Sequence, residues 1–187
     1  MPIAISKRRF TTDDYLRMVH AGILSEHDRV ELIDGEVVAM TPIGPRHGAC
    51  VDRTNRAMVT TVGDKAIVRV QGSIRLDLYH QPEPDLVLLR PQADFYASRL
   101  PGPTDILLIV EIAESSIDYD REVKARVYAE LGIREYWLAD LNANLLSCYS
   151  SPLGGVYLSL QQYQRGQSVA PQMLPDCPIP VDVLLTD

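Results

Sequence analysis

The dipeptide Pro84-Asp85 stands at the mouth of the apolar run Leu86-Val87-Leu88-Leu89, and a second, more apolar run, Ile106 to Val110, leads directly into Glu111. An acid at the end of each of two core strands is costly to bury unless a metal or another partner compensates it. Lys124 follows on the next helical segment, with Val127, Tyr128 and Leu131 three, four and seven places after it. That spacing sets the lysine on an apolar stripe rather than on an outward face. Two carboxylates and one ammonium form a charge-balanced set for a divalent cation. Mg²⁺, with Mn²⁺ as a substitute, prefers hard oxygen ligands and keeps waters that can act as nucleophile. The lysine would orient such a water or neutralise the charge of a pentavalent phosphate.

Each of these residues also has a plainer reading. Asp85 after a proline suits a turn, and a lone Lys124 could extend its amine to solvent along the helix surface. Glu111 is harder to explain away, because it directly follows five apolar residues. Glu31 and Glu36 bracket the turn Asp34-Gly35. Glu31 is either a third acid at the same site or an exposed cross-strand partner of a basic residue, and spacing alone favours exposure. His47 is a helix-start histidine or a contact for substrate phosphate. Gln71, before Gly72, is a strand-end amide contact or has no role, and Asp118 and Asp120 suit helix capping. The sequence contains no phosphate-binding Gly-x-x-x-x-Gly-Lys-Ser/Thr loop, no Gly-x-Gly-x-x-Gly, no His-Glu-x-x-His and no Gly-x-Ser-x-Gly elbow.

The elements that must position these residues follow from local signals. Thr11 to Asp14 starts a short helix that Gly22 ends. Val30–Ile33 and Glu36–Met40 around Asp34-Gly35 form a hairpin, since Asp-Gly between apolar runs favours a two-residue turn. A helix runs from His47 to Val62 with His47, Val51, Met58 and Val62 on one stripe, and Gly63 closes it. Strands are expected at 66–70 and 73–77, then in the runs that carry Asp85 and Glu111, with a surface excursion from Pro91 to Pro103 between the last two. A helix from Ser115 to about Leu131, a strand at 135–140 and two C-terminal strands near 145–149 and 156–160 complete the chain. The order implies an α/β fold with a mixed sheet covered by helices.

Composition narrows the class. At 187 residues the chain suits a single domain, residues 1–187, with a substantial core. No run approaches the roughly 18 apolar residues of a membrane span, and residues 1–9 place their basic residues after the apolar part, the reverse of a secretory signal. The expected location is therefore cytoplasmic. Cys50, Cys148 and Cys177 are odd in number and lack Cys-x-x-Cys spacing, so buried reduced thiols are expected. A net charge of −7 argues against a generic nucleic-acid coat. It leaves room for a local basic groove, and Lys7, Arg8, Arg9, Arg46, Arg53, Arg56, Arg69 and Arg75 make the first half the more basic one.

Taken in order, the segments Glu31 to Val38, Met40-Thr41-Pro42, His47, Pro84 to Val87, Val110 to Ser116, Asp120, Lys124 with Tyr128, and Gly132 to Asp140 resemble the Uma-type restriction endonuclease family of the PD-(D/E)xK nuclease superfamily. The resemblance covers roughly residues 9–150. It implies a restriction-endonuclease-like core, a mixed β-sheet flanked by helices with an N-terminal hairpin and C-terminal strands, and divalent-metal-dependent hydrolysis of phosphodiester bonds. By position it assigns Asp85 and Glu111 to the metal and Glu31 to the upstream acid. The superfamily lysine belongs two residues after the second acid, where this chain has Ala113, so the resemblance implies a migrated lysine, Lys124.

The expected activity is that of a Mg²⁺-dependent endodeoxyribonuclease with DNA as partner and, for cutting both strands, a homodimer. Two other readings stand beside it: a catalytically inactive nuclease-like fold acting as a nucleic-acid or protein interaction module, and a metal-free hydrolase using Asp85 and Glu111 as general acid and base.

Overall fold

The computed structural model describes residues 7–25 and 27–185. The charge reading of residues 1–9 therefore falls partly outside the described residues.

Helix α1, Thr12–His20, starts at a capping box in which Thr11 and Asp14 each bond the other's backbone. The hairpin β1 (Val30–Ile33) and β2 (Glu36–Ala39) turns at Asp34 (φ 52°) and Gly35 (φ 73°). Two left-handed residues in succession are what a type I′ turn needs. At Gly35 a Cβ would also lie 2.7 Å from the Arg9 Cβ, so the turn is pressed against the segment before α1.

Helix α2, Pro45–Val62, follows with proline in its first turn, where a missing N–H costs nothing. It buries Cys50, Val51, Thr54, Met58 and Val62. After it come β3 (Ile67–Val70), β4 (Leu86–Leu89) and β5 (Ile106–Ala113). The stretch after β5 is helical in three pieces: α3 (Ile117–Tyr119), a π-turn over Asp120–Lys124, and α4 (Ala125–Glu130). Strands β6 (Glu135–Asp140), β7 (Leu145–Leu153) and β8 (Val156–Tyr163) finish the main sheet, and β9 (Ser168–Val169) pairs with β10 (Ile179–Pro180) beside it.

The main sheet has six strands in the order β3-β4-β5-β6-β7-β8. Only β5 and β6 are parallel; a parallel pair needs a crossover, which the α3–α4 segment supplies. Strands β4 and β5 are buried along their whole length because the sheet is covered on both faces. Alternate residues feed two clusters. Leu86, Leu88, Val110, Ile112 and Trp137 pack with α2 and the C-terminal Leu184 and Leu185. Val87, Leu89, Ile109, Ala113, Tyr136 and Leu138 pack with Ala125, Val127 and Tyr128 of the crossover. The three cysteines are free and buried, as expected.

One expected strand is absent. Residues 73–77 form no ladder, although Ile74 N–H donates to Pro82 O and Arg75 N–H to Pro101 O. Leu76 N–H also donates to His80 O, so residues 74–76 fold back on 80–82 through one-sided bonds, and Pro82 and Pro101 have no N–H to return. Among the described residues no helix is long and apolar enough to cross a membrane.

Candidate active site

Parity within β5 decides where Glu111 points. Val110 and Ile112 belong to the α2 side of the sheet, whereas Ile109 and Ala113 belong to the crossover side. Glu111 shares the second parity and so faces the crossover helices. The stripe that begins at Lys124 buries Val127 and Tyr128 against that same face. Lysine and glutamate thus meet in the interior: Lys124 Nζ donates to Glu111 Oε1 at 2.9 Å, and the Tyr128 hydroxyl donates to the same oxygen at 2.8 Å.

Two further acids reach the ammonium. Glu31 Oε2 lies 3.3 Å from Lys124 Nζ, and Asp120 Oδ1 lies 3.8 Å away, one helical turn before the lysine. Glu31 is 2% exposed, against the exposure that its spacing favoured. The hairpin is not bounded by solvent on both faces: Leu32 pairs with Gln81, the Glu83 N–H donates to Glu31 Oε2, and Asp34 in the turn is salt-bridged to Arg126 of α4. Asp120 does not act as a helix cap either. Its Oδ2 accepts from Ser116 Oγ at 2.6 Å while the residue stays 4% exposed inside the cluster. Its place four residues before Lys124 puts it on the lysine's stripe, and the same periodicity extended backwards would have found it.

Asp85 lies beside this group on the opening strand turn. Its Oδ2 accepts the Ile112 N–H at 2.9 Å and contacts His47 Nε2 at 3.0 Å, and its Oδ1 accepts Gln71 Nε2 at 3.3 Å. Its own N–H donates to Glu111 Oε2 at 3.3 Å, so the two strand-end acids are neighbours. Gln71 sits behind Asp85 and does not line the cleft, whereas His47, in the first turn of α2, does. The cleft has a volume of about 250 Å³ and is lined by Glu31, Asp85, Glu111, Asp120 and Lys124, together with Arg29, Glu83 and Tyr119, which sequence spacing did not single out.

Charge is unevenly matched here, with four buried carboxylates around one buried ammonium. Burial pushes the Glu111 carboxyl up to about 8 against the opposing pull of Lys124. Asp120 is also raised by burial. Burial alone would lower Lys124, but Glu111, Glu31 and Asp120 together hold it well above the usual lysine value. For His47 burial again pulls downward, and the hydrogen bond and charge of Asp85 reverse the balance, leaving it raised.

Among the described residues no trio of Asp, Glu, His or Cys side chains is already spaced to grip an ion. Glu111 Oε1 is committed to Lys124 and Tyr128. Glu111 Oε2 and Asp85 Oδ1 are the lightly used acceptors, each with one hydrogen bond of 3.3 Å. Both are hard oxygens in a cluster with negative charge to spare, so the donor chemistry suits a hard divalent cation.

The sequence profile of the Uma2 family, described as "Putative restriction endonuclease", matches residues 12–182. The chain belongs to the Uma2 family. No curated protein matches it. A solved structure described as "a putative nuclease belonging to DUF820" from Anabaena variabilis ATCC 29413 aligns with a TM-score of 0.70 at 15% identity, covering 94% of this chain and 97% of that one. That likeness shows a shared fold. In this Uma2 chain Ala113, two residues beyond Glu111, lies on the crossover face of β5 in one apolar cluster with Ala125 and Tyr128. The amine reaches Glu111 from the helix instead.

Proposed function

We propose that this Uma2 protein is a divalent-metal-dependent endonuclease that hydrolyses phosphodiester bonds in DNA. The observation that carries the reading is the buried convergence of Lys124 Nζ on Glu111 (2.9 Å) and Glu31 (3.3 Å), with Asp85 hydrogen-bonded to Glu111 alongside. Asp85 and Glu111 would hold the ion, Mg²⁺ with Mn²⁺ as a substitute. When bound, the ion supplies Lewis-acid neutralisation of charge on the phosphoryl oxygens and makes a nearby water more acidic.

Lys124 holds the attacking water in line or neutralises developing negative charge, and Glu31 keeps the ammonium aimed into the cleft. His47, tied to Asp85, contacts the substrate phosphate, while Gln71 fixes the Asp85 carboxylate from behind. A homodimer would present two such clefts to the two strands of a duplex.

Nicking of supercoiled plasmid tests the reading. Cleavage in Mg²⁺ or Mn²⁺ that stops in EDTA, and that falls by at least roughly a hundredfold in Asp85→Asn and Lys124→Met, is expected. Cleavage that survives EDTA would point instead to Asp85 and Glu111 as a metal-free acid and base pair. Ala113 in place of the usual lysine favours one other reading, a nuclease-like fold retained for binding. Plasmid retention without cleavage in either metal would establish it.

A further inference from the structure

Four buried side-chain polar atoms lack a hydrogen-bond partner among the described residues, and two of them, His47 Nδ1 and the Tyr119 hydroxyl, belong to residues lining the cleft. A buried hydroxyl without a partner is costly, and such groups call for an explanation. Tyr119 ends α3, directly before the π-turn that carries Asp120 and Lys124. Backbone and side-chain bonds hold this junction in place: Asp120 N–H donates to Ser116 O, Ser116 Oγ to Asp120, and the Tyr136 hydroxyl to Asp120 O. Glu31, Glu111, Asp120 and Lys124 are all close enough to act on the Tyr119 hydroxyl electrostatically. Those acids engage Lys124, Tyr128 and Ser116, and none accepts a hydrogen bond from Tyr119.

We infer that Tyr119 is a substrate-contacting catalytic residue whose hydroxyl donates a hydrogen bond to a non-bridging oxygen of the scissile phosphate. The inference rests on the nuclease reading above and adds a residue to it. A neutral donor suits this place. The cleft lining is already rich in carboxylates that repel an anionic phosphate, and a phenol can stabilise phosphoryl oxygens without adding to that repulsion. The bond strengthens as negative charge gathers on those oxygens in the transition state, so its loss falls on kcat rather than on KM.

The test is single-turnover cleavage of a plasmid-derived duplex in Mn²⁺ by wild type, Tyr119→Phe and Glu111→Gln, with thermal unfolding measured for each. Tyr119→Phe keeps the ring and removes one oxygen. The expected result is a fall in the single-turnover rate constant of roughly tenfold to a hundredfold, with half-saturation within about threefold and the unfolding temperature kept or raised, because an unpartnered buried hydroxyl is removed. Replacing the scissile phosphate by a phosphorothioate should slow wild type more than Tyr119→Phe, because sulfur is the poorer acceptor. A Tyr119→Phe enzyme as fast as wild type, beside a dead Glu111→Gln, would overturn this inference and leave the nuclease reading standing. No cleavage by wild type in any divalent metal would overturn both.

Discussion

Lys124 Nζ is shared by Glu111, Glu31 and Asp120, and the three acids are together more negative than one ammonium can offset. Removing the ammonium leaves buried carboxylates without compensation, whereas removing one acid relieves the excess. Lys124→Met is therefore expected to destabilise the metal-free protein by about 3–5 kcal/mol. Asp120→Asn should change stability by less than about 1 kcal/mol, because Ser116 can reverse its hydrogen bond to an amide. Urea unfolding in EDTA checks this; equal losses in both variants would contradict the charge argument. At this scale the site was half legible. Periodicity alone put Lys124 on an apolar stripe, and five apolar residues before Glu111 marked it as buried. Spacing alone favours exposure for Glu31, because it cannot tell which face of a hairpin a second layer will cover, and only the family resemblance points it to the site; Asp120 is hidden because an acid early in a helix looks like a cap.

Among the elements, the hairpin brings Glu31 to the lysine, and its turn depends on Gly35. Gly35→Ala must place a Cβ at φ 73° and 2.7 Å from the Arg9 Cβ. A loss of at least about 1 kcal/mol is expected in the same unfolding assay, and an unchanged midpoint would show that the turn is not under that constraint. The segment between β4 and β5 is fastened differently, by Arg99 bonded through two nitrogens to Asp105, which also accepts the Gly102 N–H. The Arg99 hydrogen bond is the main cause that lowers the Asp105 carboxyl below its ordinary 3.8. A carboxyl with a lowered folded-state value contributes stability above its unfolded value and loses it as pH falls. The stability gap between wild type and Asp105→Asn should thus be open at pH 7 and close at acid pH below 3.8; a gap that widens on acidification would refute the assignment. The Asp-Gly hairpin and the helix ending at Gly63 were legible because both rest on local backbone chemistry. Residues 73–77 were not, since their bonds go one-sidedly to residues 80–82 and to Pro101, a choice of partners that local spacing does not show.

At the scale of the molecule, one six-stranded sheet carries both apolar clusters, with β4 and β5 contributing side chains to each. Unfolding either cluster would strip one face of the same strands, so thermal unfolding should show a single transition, with calorimetric and van't Hoff enthalpies equal. Two resolved transitions would divide the chain into separate units. A mixed sheet under helices could be inferred from the order of the elements, but not which strands are neighbours, because register and order are fixed by contacts far apart in sequence. The sheet order gives the site its geometry: β5 between β4 and β6 sets Glu111 next to Asp85 and under the crossover helix. The claim that matters most is that these two acids grip a divalent ion with the lysine at hand. A crystal soaked in Mn²⁺ and measured at the manganese absorption edge addresses it directly. The account predicts an anomalous peak between Asp85 and Glu111, with Lys124 Nζ directed into the same cleft; a saturated crystal with no peak there, or with the ion bound elsewhere, would contradict it.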